Sequence, residues 1–299
     1  MLLAATFLTT LWAGAWREIG AAADQFPELI ESLQQSLFPI AIFLHPRALL
    51  LGLPYCLTIL GILGAHELGH YLACRRYRVH ATWPHFIPLP FPQSYGTMGA
   101  FIRIRSPIPS RRALFDIAVA GPLAGFVICV PALVYGIGSA RVGVPPLQTS
   151  GIYFSDSLLV GFLVQLRWGT LAAGEEIFVG SVFVAAWLGQ LATCLNLFPV
   201  GQLDGGHLLY SVVARRHRIL SRVARWSFAT FLVALIFLPG AGIMAATPWL
   251  LWLVLLFAVG DRHPPVLTWQ PLGRTRWILL GVALAIFIIT FMPVPIRLG

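Results

Sequence analysis

Leu57-Thr58-Ile59-Leu60-Gly61-Ile62-Leu63-Gly64-Ala65-His66-Glu67-Leu68-Gly69-His70 decides how this sequence is read. Residues 48–65 carry no charge and are about long enough to cross hydrocarbon as a helix, and three ionisable side chains then follow inside the same apolar run. Such groups are expensive in a bilayer, so a functional site is their default reading. Further uncharged windows at 1–16, 177–203, 226–260 and 277–296 extend the pattern along the chain. Of 299 residues, 58% are hydrophobic and 10% charged. Soluble domains carry roughly 25% charged residues, so there is too little polar surface here for a soluble globule. The chain reads as an all-α multi-pass membrane protein in a lipid bilayer.

The window 226–260 would be roughly 50 Å long as a single helix, and Leu238-Pro239-Gly240-Ala241-Gly242 divides it. With a span around 113–138, about seven transmembrane helices are expected, at 2–16, 48–74, 113–138, 178–199, 223–238, 244–260 and 277–294, within a single integral domain over 1–299. All 20 basic residues are Arg, and 15 of them fall in 75–112, 203–225 and 261–276. Positive residues concentrate in cytoplasmic loops, which sets the amino terminus inside and the carboxy terminus outside. No positive residue precedes the apolar part of residues 1–16 and Arg17 follows it, so a retained span is expected there, not a cleaved leader. The Arg residues lie between apolar spans and form no single basic face, which argues against a nucleic-acid partner. Cys56, Cys74, Cys129 and Cys194 sit singly in apolar runs and predict no disulfide.

Two loops are long. Residues 17–47 include an amphipathic stretch, Phe26 to Leu37, expected on the outer surface. Over about 79–110, Pro84, Pro88, Pro90 and Pro92 deny a helix, and Gly96 to Arg105 then alternates apolar residues with Arg. A short membrane-associated β-loop on the cytoplasmic side is expected. Residues 139–177 are too few for a further compact domain.

On a helix, residues i and i+4 share a face, so His66 and His70 can bind one metal ion while Glu67 reaches a metal-bound water. A second polar motif, Asn196-Leu197-Phe198-Pro199-Val200-Gly201-Gln202-Leu203-Asp204-Gly205-Gly206-His207, closes the fourth span. Pro199 and the glycines end the helix there. Asp204 lies at the cytoplasmic end of its span, and His66 lies about 13 Å inside the cytoplasmic end of the second, so the two motifs can meet at one depth. Either Asp204 or His207 then completes a three-ligand site with a fourth place for water.

At these residues the chain resembles the site-2 proteases, multi-pass intramembrane zinc metalloproteases. The likeness rests on His66 to His70, Asn196-x-x-Pro199, Leu203-Asp204-Gly205 and Gly96-Thr97-Met98-Gly99-Ala100-Phe101. Ile87-Pro88-Leu89-Pro90-Phe91, Ser106-Pro107-Ile108-Pro109, Ala120-Gly121-Pro122-Leu123-Ala124-Gly125 and His263-Pro264-Pro265 are similar to the bacterial and chloroplast EGY-like branch, without a PDZ domain. The resemblance implies His66, His70 and Asp204 as ligands of one Zn²⁺, Glu67 as general base, and Asn196 near the substrate backbone. It also implies a membrane-protein substrate with a transmembrane helix and a role in regulated intramembrane proteolysis. Gly121 to Gly125 reads as a close-packing kink without chemistry.

The expected reaction is hydrolysis of a peptide bond in or beside a transmembrane helix, in a bacterial plasma membrane and near its cytoplasmic side. A helical bond is shielded by its own hydrogen bonds, so the substrate must be held extended. The strand after Gly96 offers an edge for that, with Gly96 and Gly99 allowing close approach. Two rival readings are a zinc-binding transporter and a non-proteolytic membrane scaffold. The chain lacks the paired repeats common in transporters, and an intact Glu67 beside both histidines speaks against a disarmed scaffold.

Overall fold

The computed structural model describes residues 1–19, 40–91, 94–144, 152–154, 156–237, 242–261 and 263–298. In chain order the elements are α1 (Leu2–Ile19), α2 (Pro46–Leu50), α3 (Leu53–Arg76), β1 (His85–Pro88), β2 (Thr97–Phe101), α4 (Arg111–Gly138), β3 (Arg141–Gly143), β4 (Ile152–Phe154), α5 (Leu158–Trp168), β5 (Glu176–Phe178), α6 (Ser181–Asn196), α7 (Asp204–Val213), α8 (His217–Phe237), α9 (Gly242–Val259), α10 (Arg274–Thr290) and β6 (Ile296–Leu298). The protein is mostly helical. Among the described residues, Pro46–Arg76, Arg111–Gly138 and Asp204–Phe237 are long and apolar enough to cross a membrane, and Leu158–Trp168 and Ser181–Asn196 are shorter apolar helices. The amphipathic stretch expected at Phe26 to Leu37 and the break at 238–241 lie outside the described residues.

The centre of the bundle is α3, α4 and α6, whose Tyr55, Ile59, Ile62, Cys129, Leu133, Phe183 and Trp187 form one buried cluster. A second cluster joins Phe198 to Phe228, Leu232 and Trp249, with aromatic rings meeting edge to face. Helix ends fall into two sets. At one end, Glu18 accepts from the Ser181 backbone N–H at 2.8 Å, β3 pairs antiparallel with β5, and β4 pairs with β6. At the other, Arg276 grips Asp116 through two bonds of 2.8 and 2.7 Å, and Tyr77 donates to the same carboxylate. A bidentate guanidinium–carboxylate pair is directional as well as attractive, so it fixes the start of α10 against α3 and α4.

Three expectations need correction. Residues 203–225, expected as an Arg-rich loop, are helical: α7, a 3₁₀ turn at Ala214–Arg216, and an α8 that begins at His217, ahead of the expected 223. The segment 139–177, where only a loop is expected, contains β3, β4 and the start of β5, with β3 paired to β5 and β4 to β6, and also α5, which Ser157 caps by accepting from the Val160 N–H. The third concerns the β-loop, which is not confined to the inner face. Its base lies at the end of α3, where the Val79 N–H donates to the Cys74 carbonyl. Its tip reaches the opposite end of the same helix, where the Tyr55 hydroxyl donates to the Tyr95 carbonyl at 3.0 Å and Arg17 of α1 donates to the Ser94 carbonyl at 2.7 Å.

Within the hairpin, His85 pairs with Phe101, Phe86 with Ala100 and Pro88 with Thr97, so Met98 and Gly99 together oppose Ile87 in a bulge. Gly99 takes φ +106°, which glycine reaches without steric penalty. At the tip, Gly96 has φ +72° and its carbonyl accepts from the Thr9 hydroxyl at 2.6 Å. A Cβ there would lie 2.6 Å from the Thr10 Cα. Gly96→Ala is therefore expected to lower the stability of the purified protein by about 1–3 kcal/mol, read as a fall in melting temperature and earlier proteolysis of the hairpin.

Candidate metal centre

His66 and His70 project from one face of α3 with their Nε2 atoms 3.1 Å apart. Both are buried, and Glu67 beside them is only 6% exposed. The third group arrives from far along the chain. Helix α6 stops at Asn196, Pro199 has no N–H to continue it, and Gly201 turns at φ +56° with its N–H held by the Ser221 hydroxyl at 2.9 Å. At Gly205 and Gly206 a Cβ would overlap the carbonyls of residues 197, 198, 200 and 201, so only glycine lets α7 start this close to the turn. Asp204 is the first residue of α7, and its Oδ2 lies 3.2 Å from the Nε2 of both histidines.

His66, His70 and Asp204 are the one such cluster of metal-binding type among the described residues. The donor set fits a metal. Ligand atoms at about 2.0–2.2 Å from a tetrahedral ion stand roughly 3.3–3.6 Å from one another, close to the 3.1–3.2 Å seen here. Tautomer argues the same way. His70 Nδ1 lies 2.7 Å from the Ile117 carbonyl, which can only accept, so Nδ1 carries a proton and Nε2 is the atom left to face the centre. That nitrogen faces a carboxylate oxygen at 3.2 Å, a gap that a metal ion bridges once Nε2 gives up its proton.

Glycines of α4 make room for the ring. A Cβ at Gly121 would overlap the His70 imidazole, and one at Gly125 would come within 3.2 Å of the His66 Cβ. Gly69 faces the Ala120 carbonyl in the same seam, with a Cβ there only 2.5 Å away. The stretch Gly121 to Gly125 was read from the sequence as packing alone. It is packing, but against the two histidines, and the signal for it was a pair of small residues four apart, one helical face.

A cavity of about 230 Å³ opens on the site, lined among others by Glu67, Asn196, His207, Ala100 and Phe101. The Asn196 Nδ2 lies 3.4 Å from the His66 Nε2, at the wall of this cavity. The Ile102 backbone N–H donates to the Glu67 carboxylate, which ties the loop to that side chain. Gly96 and Gly99, expected beside the substrate, are not among the lining residues, and Gly96 packs on α1. His207 does line the cavity, although Asp204 takes the third place at the centre.

Residues 54–239 match peptidase family M50. The chain belongs to that family. It is 29% identical over 247 residues to the probable zinc metalloprotease EGY1, chloroplastic, of Arabidopsis thaliana, covering 81% of this chain and 43% of that protein. It is 29% identical over 253 residues to EGY2, chloroplastic, of Oryza sativa subsp. indica, covering 82% and 43%, and 33% identical over 171 residues to EGY2 of Arabidopsis thaliana, covering 55% and 29%. This M50 chain thus spans less than half the length of the curated relatives it matches. The resemblance to the EGY-like site-2 proteases is borne out. Those relatives are named as chloroplastic, so the expected bacterial plasma membrane finds no support in them.

Gly121→Ala is expected to displace the His70 ring and to cut the metal content of the purified M50 chain to a small fraction, by elemental analysis. Gly61→Ala, on the same helix as His70 but with nothing within 4 Å of the new Cβ, is expected to leave it unchanged.

Proposed function

We propose that this M50 chain is a zinc metallopeptidase that hydrolyses a peptide bond within or just beside a transmembrane helix of another membrane protein. One observation carries the reading: three converging ligand atoms on His66, His70 and Asp204 share a cavity with a carboxylate outside that cluster, Glu67. Zinc held by these three residues would supply Lewis acidity to the scissile carbonyl and to the attacking water. Glu67 takes the proton released in the attack and passes it to the leaving amine. Asn196, at the cavity wall, holds a backbone group of the substrate.

The substrate must lose its helical hydrogen bonds before its carbonyl is reachable, and each exposed backbone group costs several kcal/mol in lipid unless it finds a partner, roughly 2–7 kcal/mol by transfer measurements. The outer edge of β2 supplies partners. Arg103 and Arg105 turn their backbone toward residues 80–82, with the Arg105 N–H 2.7 Å from the His80 carbonyl, so Ile102 and its alternates turn away, toward Glu67. An extended peptide laid along Ala100 pairs there.

In this proposal the chain crosses the bilayer seven times as α1, α3, α4, α6, α8, α9 and α10. The pairing of β3 with β5 and of β4 with β6, and the Arg276–Asp116 grip at the other end, are what that alternation requires. The Arg-rich end is cytoplasmic by the positive-inside rule, and His66 lies ten residues, about 15 Å, inside it along α3.

Glu67→Gln is expected to keep full zinc and lose at least about a hundredfold in turnover, because a base that is no ligand has been removed. Asp204→Ala is expected to lose both. Cleavage of a reconstituted transmembrane substrate with elemental analysis checks this, and near-normal turnover by Glu67→Gln removes the mechanism.

The four native cysteines are buried and free, so a Cys-free background is reachable. In it, single cysteines at the exposed positions 105 and 274 are expected to react with impermeant reagent only from the cytoplasmic side, and one at 141 only from outside. Reversed labelling overturns the orientation.

A further inference from the structure

We infer that His207 is a further residue of the active cavity, offering its Nε2 lone pair to one backbone N–H of the extended substrate, and that His263 and the Pro264 carbonyl hold it in that tautomer; this rests on the peptidase reading above. The need comes from strand geometry. Successive N–H groups of an extended peptide point to opposite sides, so pairing with the β2 edge satisfies only every second one. The others face a wall that β2 does not provide. His66, His70 and Asp204 are the residues that would hold the metal, and Glu67 handles the proton. His207, on α7, is a lining residue still able to accept.

Its tautomer follows from a short chain of bonds. His263 Nδ1 lies 2.6 Å from the Pro264 carbonyl oxygen, which only accepts, so Nδ1 carries the proton. Burial pushes His263 down to about 4, so at neutral pH the ring has that one proton and its Nε2 is bare. This Nε2 lies 2.6 Å from the His207 Nδ1. His207 must therefore donate from Nδ1, which leaves its own Nε2 as an acceptor. The arrangement is stiff. His263 precedes Pro264, which precedes Pro265, and a residue before proline is restricted to extended backbone. Tyr210, one turn after His207 on α7, stacks on the His263 ring at 3.9 Å and 8°. The motif His263-Pro264-Pro265, which the catalytic scheme leaves unused, is accounted for as the support of this acceptor.

Two measurements test the inference on the full-length, zinc-loaded chain. In ¹⁵N-histidine NMR spectra, with His207 assigned through His207→Gln, the His207 Nε2 is expected to be unprotonated and Nδ1 protonated, and His263→Phe is expected to mix the tautomers. A protonated Nε2 in the wild type overturns the proposal. In the second, single backbone N–H groups around the scissile bond of a transmembrane substrate are replaced by ester oxygen. At one position the ester is expected to slow the wild type about tenfold, the worth of one buried hydrogen bond, and to add nothing to the loss already present in His207→Phe. His263→Gln, whose amide oxygen can accept from His207 Nδ1, is expected to recover most of what His263→Phe loses. Zinc content at the wild-type level shows that each variant is folded. An equal ester penalty in both enzymes at every position overturns the inference alone. No cleavage by the wild type overturns the peptidase reading and the inference with it.

Discussion

Three lone pairs within 3.2 Å of one another, inside an apolar bundle, are the constraint on which the rest of this structure depends. Buried acceptors without a donor or cation between them are strongly unfavourable, so the surrounding chain must hold them together. Helix periodicity brings His66 and His70 together without help. Asp204 is 134 residues beyond His70, and nothing local brings it there. The glycines show how it is done. Gly69, Gly121 and Gly125 let α3 and α4 approach until the His70 ring fills the space of an absent side chain, and Gly205 with Gly206 lets α7 begin directly on the turn that ends α6.

A second constraint is the bilayer's intolerance of bare backbone. A β-hairpin at the depth of α3 has to bury its polar edges in protein. This one does so at its base through the Thr82 and Arg103 main chains, at its tip through Thr9, Arg17 and Tyr55, and along its outer edge through the Ile102 N–H on Glu67. The stretch of that edge facing the cavity, at Ala100, is where the proposed function seats its substrate. The same rule that forbids open strands in lipid thus fixes where a strand can be of use.

What the sequence made legible follows from the range of the physics involved. The long apolar runs, the paired histidines and the adjacent Glu67 are local, set by hydropathy and a 3.6-residue period, and Pro46–Arg76 and Arg111–Gly138 are helices long and apolar enough to cross a membrane where the second and third spans are expected. Asp204 was reached by matching depths along two spans, a longer argument that left His207 open until the resemblance was considered. The depth of the hairpin was not legible, because it depends on Gly96 meeting Thr10 across 86 residues. Helix α7 was hidden for another reason: Gly205 and Gly206 weaken helix propensity by about 1 kcal/mol each, and packing overrides them. Helix α5 is too short to register as a span, and the His207–His263 contact joins segments with no local signal in common.

The position of Asp204 finally rests on α4, which gauges both halves of the ligand set. Arg111, the first residue of α4, donates to the carbonyls of Ser211 and Val212 at the far end of α7, where a helix carries unpaired acceptors and the negative end of its dipole. Gly121, which cradles His70, lies ten residues further along α4, about 15 Å away. Asp204 lies seven and eight residues back from the two anchored carbonyls, at Ser211 and Val212, about 10–12 Å along α7. The two lengths agree to within one helical turn of about 5.4 Å, so anchoring the carboxy end of α7 at Arg111 brings its amino end close to the level of Gly121, and hence of His70. The carboxylate reaches the histidines because one helix serves as the common measure for both.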